Sequence, residues 1–210
     1  MATPRDLDNL SVFLSGSLPP NLYGTPRALD LQQFIVAFVD GLLAAGGRLV
    51  FGGHPSLTPL VERVARVHGA GRVDLYQWER FRGSEPPEAH SEAFNLHWIS
   101  GDDLTPMREL MVERAEAAVF LGGKTADEGP VGGKPGILDE YERFLSHRST
   151  GPVYVLGLLD GEAARLAETF EDHPNPLAPA ERQLLGKTTD VDLAASLVLA
   201  GLRRQTADPA

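Results

Sequence analysis

The sequence contains no cysteine. Disulfides, thiolate catalysis and cysteine-type zinc sites are therefore excluded. It also has no apolar run approaching the length of a membrane span. The first nine residues are polar and carry no signal-peptide core. A soluble, cytoplasmic protein with no membrane contact is the expectation. Cations are scarce, with 19 Lys and Arg against 29 Asp and Glu, for a formal net charge of -10. Such a surface repels nucleic acid and anionic membrane at long range, so no nucleic-acid partner is expected. Salt confines that repulsion to about 8 Å, so a locally basic pocket can still take a small phosphate-bearing ligand.

Familiar nucleotide motifs are missing too. A P-loop requires G-x-x-x-x-G-K-[ST]. Gly123-Lys124-Thr125 supplies the tail, but Ala118 stands where the first glycine should be; before Gly186-Lys187-Thr188 that place is held by Glu181. No G-x-G-x-x-G follows a strand, and no His-x-x-x-His metal spacing occurs. A kinase and a standard dehydrogenase lose ground, and neither a metal nor a cofactor is expected.

What is present is a strand–helix rhythm. Short apolar runs at 11–15, 48–51, 73–77, 94–99, 117–121 and 153–157 read as strands buried on both faces. Between them, residues 27–45 carry a wide apolar stripe at helical spacing, ended by Gly46-Gly47. Helices are also expected at 59–68, with Thr58 as N-cap and Pro59 at the first helical position, and at 107–116, 137–147, 162–170 and 191–203. The alternation predicts an α/β fold with a doubly wound, mostly parallel sheet flanked by helices, in one domain over residues 1–204. Residues 205–210 read as a frayed tail. Residues 81–93 read as a surface loop whose acids are solvated, and 173–180 as a Pro-rich loop.

Ligands of open α/β sheets bind beyond the carboxyl ends of the strands. Here those ends give Ser15-Gly16-Ser17, then Gly52-Gly53-His54, then Gly122-Gly123-Lys124 followed by Gly132-Gly133-Lys134-Pro135-Gly136. Glycine permits close backbone approach, and a helix starting after such a loop offers unpaired N–H groups to an anion. One helix end contributes only about 0.3–1 kcal/mol when exposed, so several loops must converge, helped by Lys124, Lys134 or Arg108. The stretch from Gly122 to Glu140 also holds four acids. A carboxylate there, Glu140 above all, suits ribose hydroxyls or a positive ribosyl centre. Arg108 has a plainer alternative in pairing with Glu113 or Glu116. Tyr141, Trp78 and Trp98 read as packing residues.

These motifs resemble the SLOG superfamily, the Rossmann-like group that includes LOG-type nucleotide phosphoribohydrolases. Arg108 in Met107-Arg108-Glu109-Leu110-Met111 resembles the LOG arginine helix, and Gly136-Ile137-Leu138-Asp139-Glu140 matches the G-T-x-x-E half of the LOG motif. The chain is most similar to SLOG domains found beside sirtuin or TIR domains in bacterial antiviral systems, through its LSGS start, its GGHPSLTPLV loop and its GGK…PGI-x-E-Y loop. It departs from LOG enzymes in Ile137, which replaces a threonine, and in an insertion over 125–131. The resemblance implies binding of a nucleotide- or ADP-ribose-derived signal, a dimer, and a separate effector protein. It equally leaves open N-glycosidic hydrolysis of a nucleotide with Glu140 and Arg108 as catalytic residues. A scaffold with a vestigial pocket is the third reading.

Overall fold

The computed structural model describes residues 6–128, 133–168 and 175–207. Gly132 of the predicted phosphate loop, residues 169–170 of a predicted helix and residues 173–174 of the Pro-rich loop lie outside them. The described chain forms one six-stranded sheet: β1 (Ser11–Ser17), β2 (Arg48–Phe51), β3 (Val73–Trp78), β4 (Asn95–Ile99), β5 (Ala117–Gly122) and β6 (Val153–Leu156). The order is β4-β3-β2-β1-β5-β6 and every pairing is parallel. The fold is Rossmann-like and doubly wound. Strands run outward from β1 to β4, then the chain returns to add β5 on the other side of β1. The crevice between the carboxyl ends of β1 and β5 is therefore the topological switch point.

Among the described residues seven helices cover the two faces: α1 (Ala28–Ala44), α2 (Thr58–His68), α3 (Thr105–Arg114), α4 (Gly136–His147), α5 (Glu162–Glu168), α6 (Pro179–Leu185) and α7 (Val191–Ala207). Apolar side chains of α1, α2 and α7 pack with Val12, Leu14, Leu49, Phe51 and Leu75 on one face. Those of α3, α4 and α5 pack with Phe13, Val50, Ala118, Phe120 and Val155 on the other. β2, β5 and β6, and the middle of β1, thus bury alternate residues on opposite sides and read as apolar runs, while β4 at the edge is only half-buried. Tyr141 belongs to the second core, edge-on to Phe120 at 5.5 Å.

Three expectations are corrected. Leu57, not Thr58, precedes α2 as its cap; Thr58 is the first helical residue, and its hydroxyl donates to the His54 carbonyl at 3.1 Å. The Pro-rich stretch passes directly into α6, where Pro179 opens the helix and the Ala178 N–H donates to the Glu181 carboxylate at 2.8 Å. Of the expected tail, residues 205–207 are helical, since α7 continues to Ala207 and Thr206 and Arg203 bond Asp6 at 3.0 and 2.8 Å, while 208–210 lie outside the described residues. No described helix is long and apolar enough to cross a membrane.

Candidate functional site

The loops beyond β1, β2, β3 and β5, with α3 and the start of α4, enclose a cavity of about 670 Å³. That is the size of an ordinary small-molecule site. Ser15, Gly16, Ser17, Gly52, Gly53, His54, Gly123, Lys124, Gly136, Arg108 and Glu140 all line it. Three segments distant in sequence are brought together because β1 lies between β2 and β5. Register places Gly16 beside Leu121 and Ser17 beside Gly122. Any side chain at Gly16 would collide with Leu121, whose Cδ2 would sit 2.5 Å from a Cβ.

Two predicted residues stand outside the lining. Gly122 is the last residue of β5, with its backbone against Ser17. Lys134 points away and pairs with Glu142, and with Asp139 at 3.8 Å.

Gly123 adopts φ +84°, the left-handed region that glycine tolerates best. Its own N–H donates to the Ser17 carbonyl at 2.9 Å, so it shapes the turn instead of offering an amide. Among the described residues, the lining N–H groups without a partner include those of Gly53, His54 and Lys124, and of Gly136 and Ile137 at the start of α4. Pro135 precedes that helix and supplies no side-chain cap, which leaves its first-turn donors unpaired. Lys124 is exposed and makes no ion pair with a described residue. The donors therefore come from two connections, the loop after β2 and the two ends of the β5–α4 connection.

His54 accepts the Ser56 N–H on Nδ1 at 3.2 Å and lies 2.8 Å from the Ser56 hydroxyl. The imidazole is therefore the neutral tautomer protonated on Nε2. Burial, and secondarily the Lys124 charge, holds its pKa below the ordinary value. Gln77, which the sequence did not single out, is buried in the cavity wall and donates to the Gly52 and Gly53 carbonyls at 3.2 and 3.4 Å. Its signal in the sequence is only a polar residue at the end of an apolar strand.

Glu140 projects from α4 to the ends of β1 and α3. The Ser15 hydroxyl donates to it at 2.5 Å and Arg108 Nε at 3.1 Å. Burial pushes the Glu140 pKa up, with Arg108 and Ser15 opposing and Asp139 adding to the rise. Arg108 also donates to Asp139 at 2.9 Å, so its guanidinium joins two adjacent acids of α4, not Glu113 or Glu116. Asp139 in turn accepts from Arg143 at 2.9 Å. The arrangement fixes a carboxylate at the cavity wall through two donors from different elements.

The sequence places the acids of the 81–93 loop in solvent. Glu85 instead lines the cavity with Phe81, Ser84 and Pro86, and its side chain is only 4% exposed. Leu57, Leu104, Met107 and Ile137 supply the apolar part of the wall. No group of three or more candidate metal-ligating side chains gathers among the described residues.

Comparison with known proteins agrees with this architecture. The crystal structure of TM1055, a Northeast Structural Genomics Consortium target, superposes with a TM-score of 0.57 at 16% identity, covering 90% of this chain and 98% of that one. That likeness shows the fold. No curated protein matches the chain in sequence. A family model, described as the SLOG cluster3 family, matches residues 23–181, a span that includes the loops after β2, β3 and β5 together with Arg108 and Glu140. With three-quarters of its length matched, the chain belongs to the SLOG cluster3 family.

Proposed function

We propose that the chain is a sensing module that binds a nucleotide- or ADP-ribose-derived small molecule in this cavity. SLOG membership supports a nucleotide-related role of one kind or another. The observation that carries the binding reading is that Lys124 and amides of the β2 loop, the β5 loop and α4, none of them paired among the described residues, meet at one cavity. Phosphates rest against these donors, while Ser15 and Arg108 are already engaged with Glu140. Homodimerisation and a separate effector that reads occupancy belong to the same proposal.

Thermal unfolding with ADP-ribose, cyclic ADP-ribose and AMP tests it. A ligand at 100 times its Kd stabilises by about 2.7 kcal/mol, a change easily read. Lys124→Ala should abolish most of that stabilisation without lowering the melting temperature of the free protein. An unchanged melting temperature with all three ligands would refute the reading.

One observation favours a second reading, cleavage of a nucleotide's N-glycosidic bond: Glu140 faces the cavity and is oriented by Ser15 and Arg108. In that reaction its ionised carboxylate stabilises a ribosyl cation or orients water, and Arg108 holds phosphate. Arg108 would first have to loosen its bonds to Asp139 and Glu140. Chromatographic assay for adenine released from AMP decides between the two readings. Release that vanishes in Glu140→Gln supports the hydrolase; binding without release supports the sensor.

A further inference from the structure

We propose that the loop between β3 and β4 forms the nucleobase wall of the cavity, with Phe81 as a stacking platform and Glu85 as acceptor for an amino-bearing base edge. The proposal rests on the nucleotide reading above and adds where the base lies and what recognises it.

The cavity is chemically divided. Lys124 and the unpaired amides of Gly136 and Ile137 stand at the β5 side and α4, with those of Gly53 and His54 on the β2 loop between. Phe81 and Glu85 enter from the β3 side. The loop is anchored there by several independent contacts. Phe81 meets Trp78, the last residue of β3, edge-on at 5.4 Å, and Trp78 Nε1 donates to the Gly101 carbonyl at 2.9 Å. Arg82 lies over the Trp98 ring of β4 at 4.7 Å. Ser91, at the loop's far end, donates to Glu62 of α2 at 2.8 Å. Between β3 and β5 lie three strand spacings, roughly 14 Å. A ligand touching both ends must therefore be longer than a bare diphosphate and carry different chemistry at its two ends.

A carboxylate repels phosphate, so Glu85 marks the end that phosphate avoids. Its side chain folds against its own loop while the residue as a whole is half-buried, and hydrogen bonds from its own backbone, the His90 side chain and the Gly83 N–H hold its pKa below the ordinary value. His90 Nε2 lies 2.6 Å from one oxygen, and the Gly83 N–H reaches the other. A carboxylate has about four acceptor sites, so these three partners leave one for a ligand N–H. Phe81 is 45% exposed although it lines the cavity, and its contact with Trp78 is edge-on, so the cluster leaves aromatic surface uncovered. An aromatic face beside a half-buried carboxylate acceptor suits a base with an exocyclic amine.

Calorimetric titration of ADP and of pyrophosphate into the wild-type chain, Phe81→Ala, Glu85→Gln and Lys124→Ala tests this. ADP should bind more tightly than pyrophosphate to the wild type. Phe81→Ala and Glu85→Gln should each weaken ADP by about tenfold, as loss of one base–aromatic stack does, and leave pyrophosphate within about twofold. Lys124→Ala should weaken both. Equal wild-type affinity for ADP and pyrophosphate, or ADP affinity unchanged in Phe81→Ala, would overturn the base wall while leaving the phosphate site standing. A parallel fall of pyrophosphate in the loop variants would also overturn it, since it would mark a structural role. Should Glu85→Gln disturb folding, Phe81→Ala, at an exposed position, decides alone. If neither ligand binds the wild type, the nucleotide reading and the base wall fall together.

Discussion

Glu140 and Asp74 are carboxylates of nearly equal exposure, 16% and 17%, and each is bonded to an arginine. Their surroundings drive them in opposite directions. Asp74, on β3, accepts from Arg48 at 3.0 Å, Asn95 at 3.1 Å and His97 at 3.1 Å. Burial alone would raise its pKa, but these three donors hold it below the ordinary carboxylate value. Glu140 has two donors, shares Arg108 with Asp139, and has that second negative charge beside it. Burial prevails there and its pKa is raised. Depth of burial and the number of donors together separate a carboxylate that fastens strands from one whose pKa is raised at a cavity wall.

The largest expected effect comes from removing the shared cation. Arg108→Ala leaves two adjacent acids without their common partner and should cost about 3 kcal/mol in urea unfolding. Combined with Glu140→Gln, the loss should shrink markedly, because the two sites are coupled. Strict additivity of the two substitutions would contradict the coupling of Glu140 to Arg108. A smaller loss, about 2 kcal/mol, is expected for Asp74→Ala, which strands three donors at the sheet edge.

The smallest effect has the opposite sign. Glu140→Gln should leave stability at pH 7 unchanged or raise it by up to about 1 kcal/mol. A raised native pKa means that the folded state holds its proton after the unfolded state has lost it. Wild-type stability from this group therefore falls as pH rises from the ordinary value of 4.5 through the native one, and any advantage of the variant should vanish below that window. Asp74 runs the other way: its contribution is present above its ordinary value of 3.8 and is lost as pH falls through its lowered native pKa. Denaturation of wild type, Glu140→Gln and Asp74→Asn across pH 3–7 would show both slopes. Each tenfold difference in proton affinity between the folded and unfolded chain is worth about 1.4 kcal/mol, and identical slopes would end the comparison.

Most of the fold was legible in the chain. All six strands lie where the apolar runs predict; β2, β5 and β6 are apolar along their length because both faces are covered, whereas edge strand β4 is only half-buried. The differences sit at ends. β1 extends through Gly16 and Ser17, residues of poor strand propensity, because β5 supplies a complete ladder there. α6 was hidden by its own start signal, since prolines around Pro179 read as loop. At the site, the glycine loops and the Lys124, Arg108 and Glu140 positions were readable from motif and spacing. Glu85 was not: an acid among Glu, Pro and Ser looks solvated, and only its contacts with Gly83 and His90 bring it inward.

The sequence alone determined the strand–helix alternation and which loops carry glycine, since these depend on local apolar pattern and backbone freedom, and its motifs carried the resemblance to the family. Tertiary structure decided the rest. It turned Gly123 from donor into hinge, paired Lys134 away from the cavity, yoked Arg108 to two acids and drew Glu85 into the wall. Each of those outcomes depends on which charges and donors come within a few ångströms after folding, and no spacing along the chain encodes that distance.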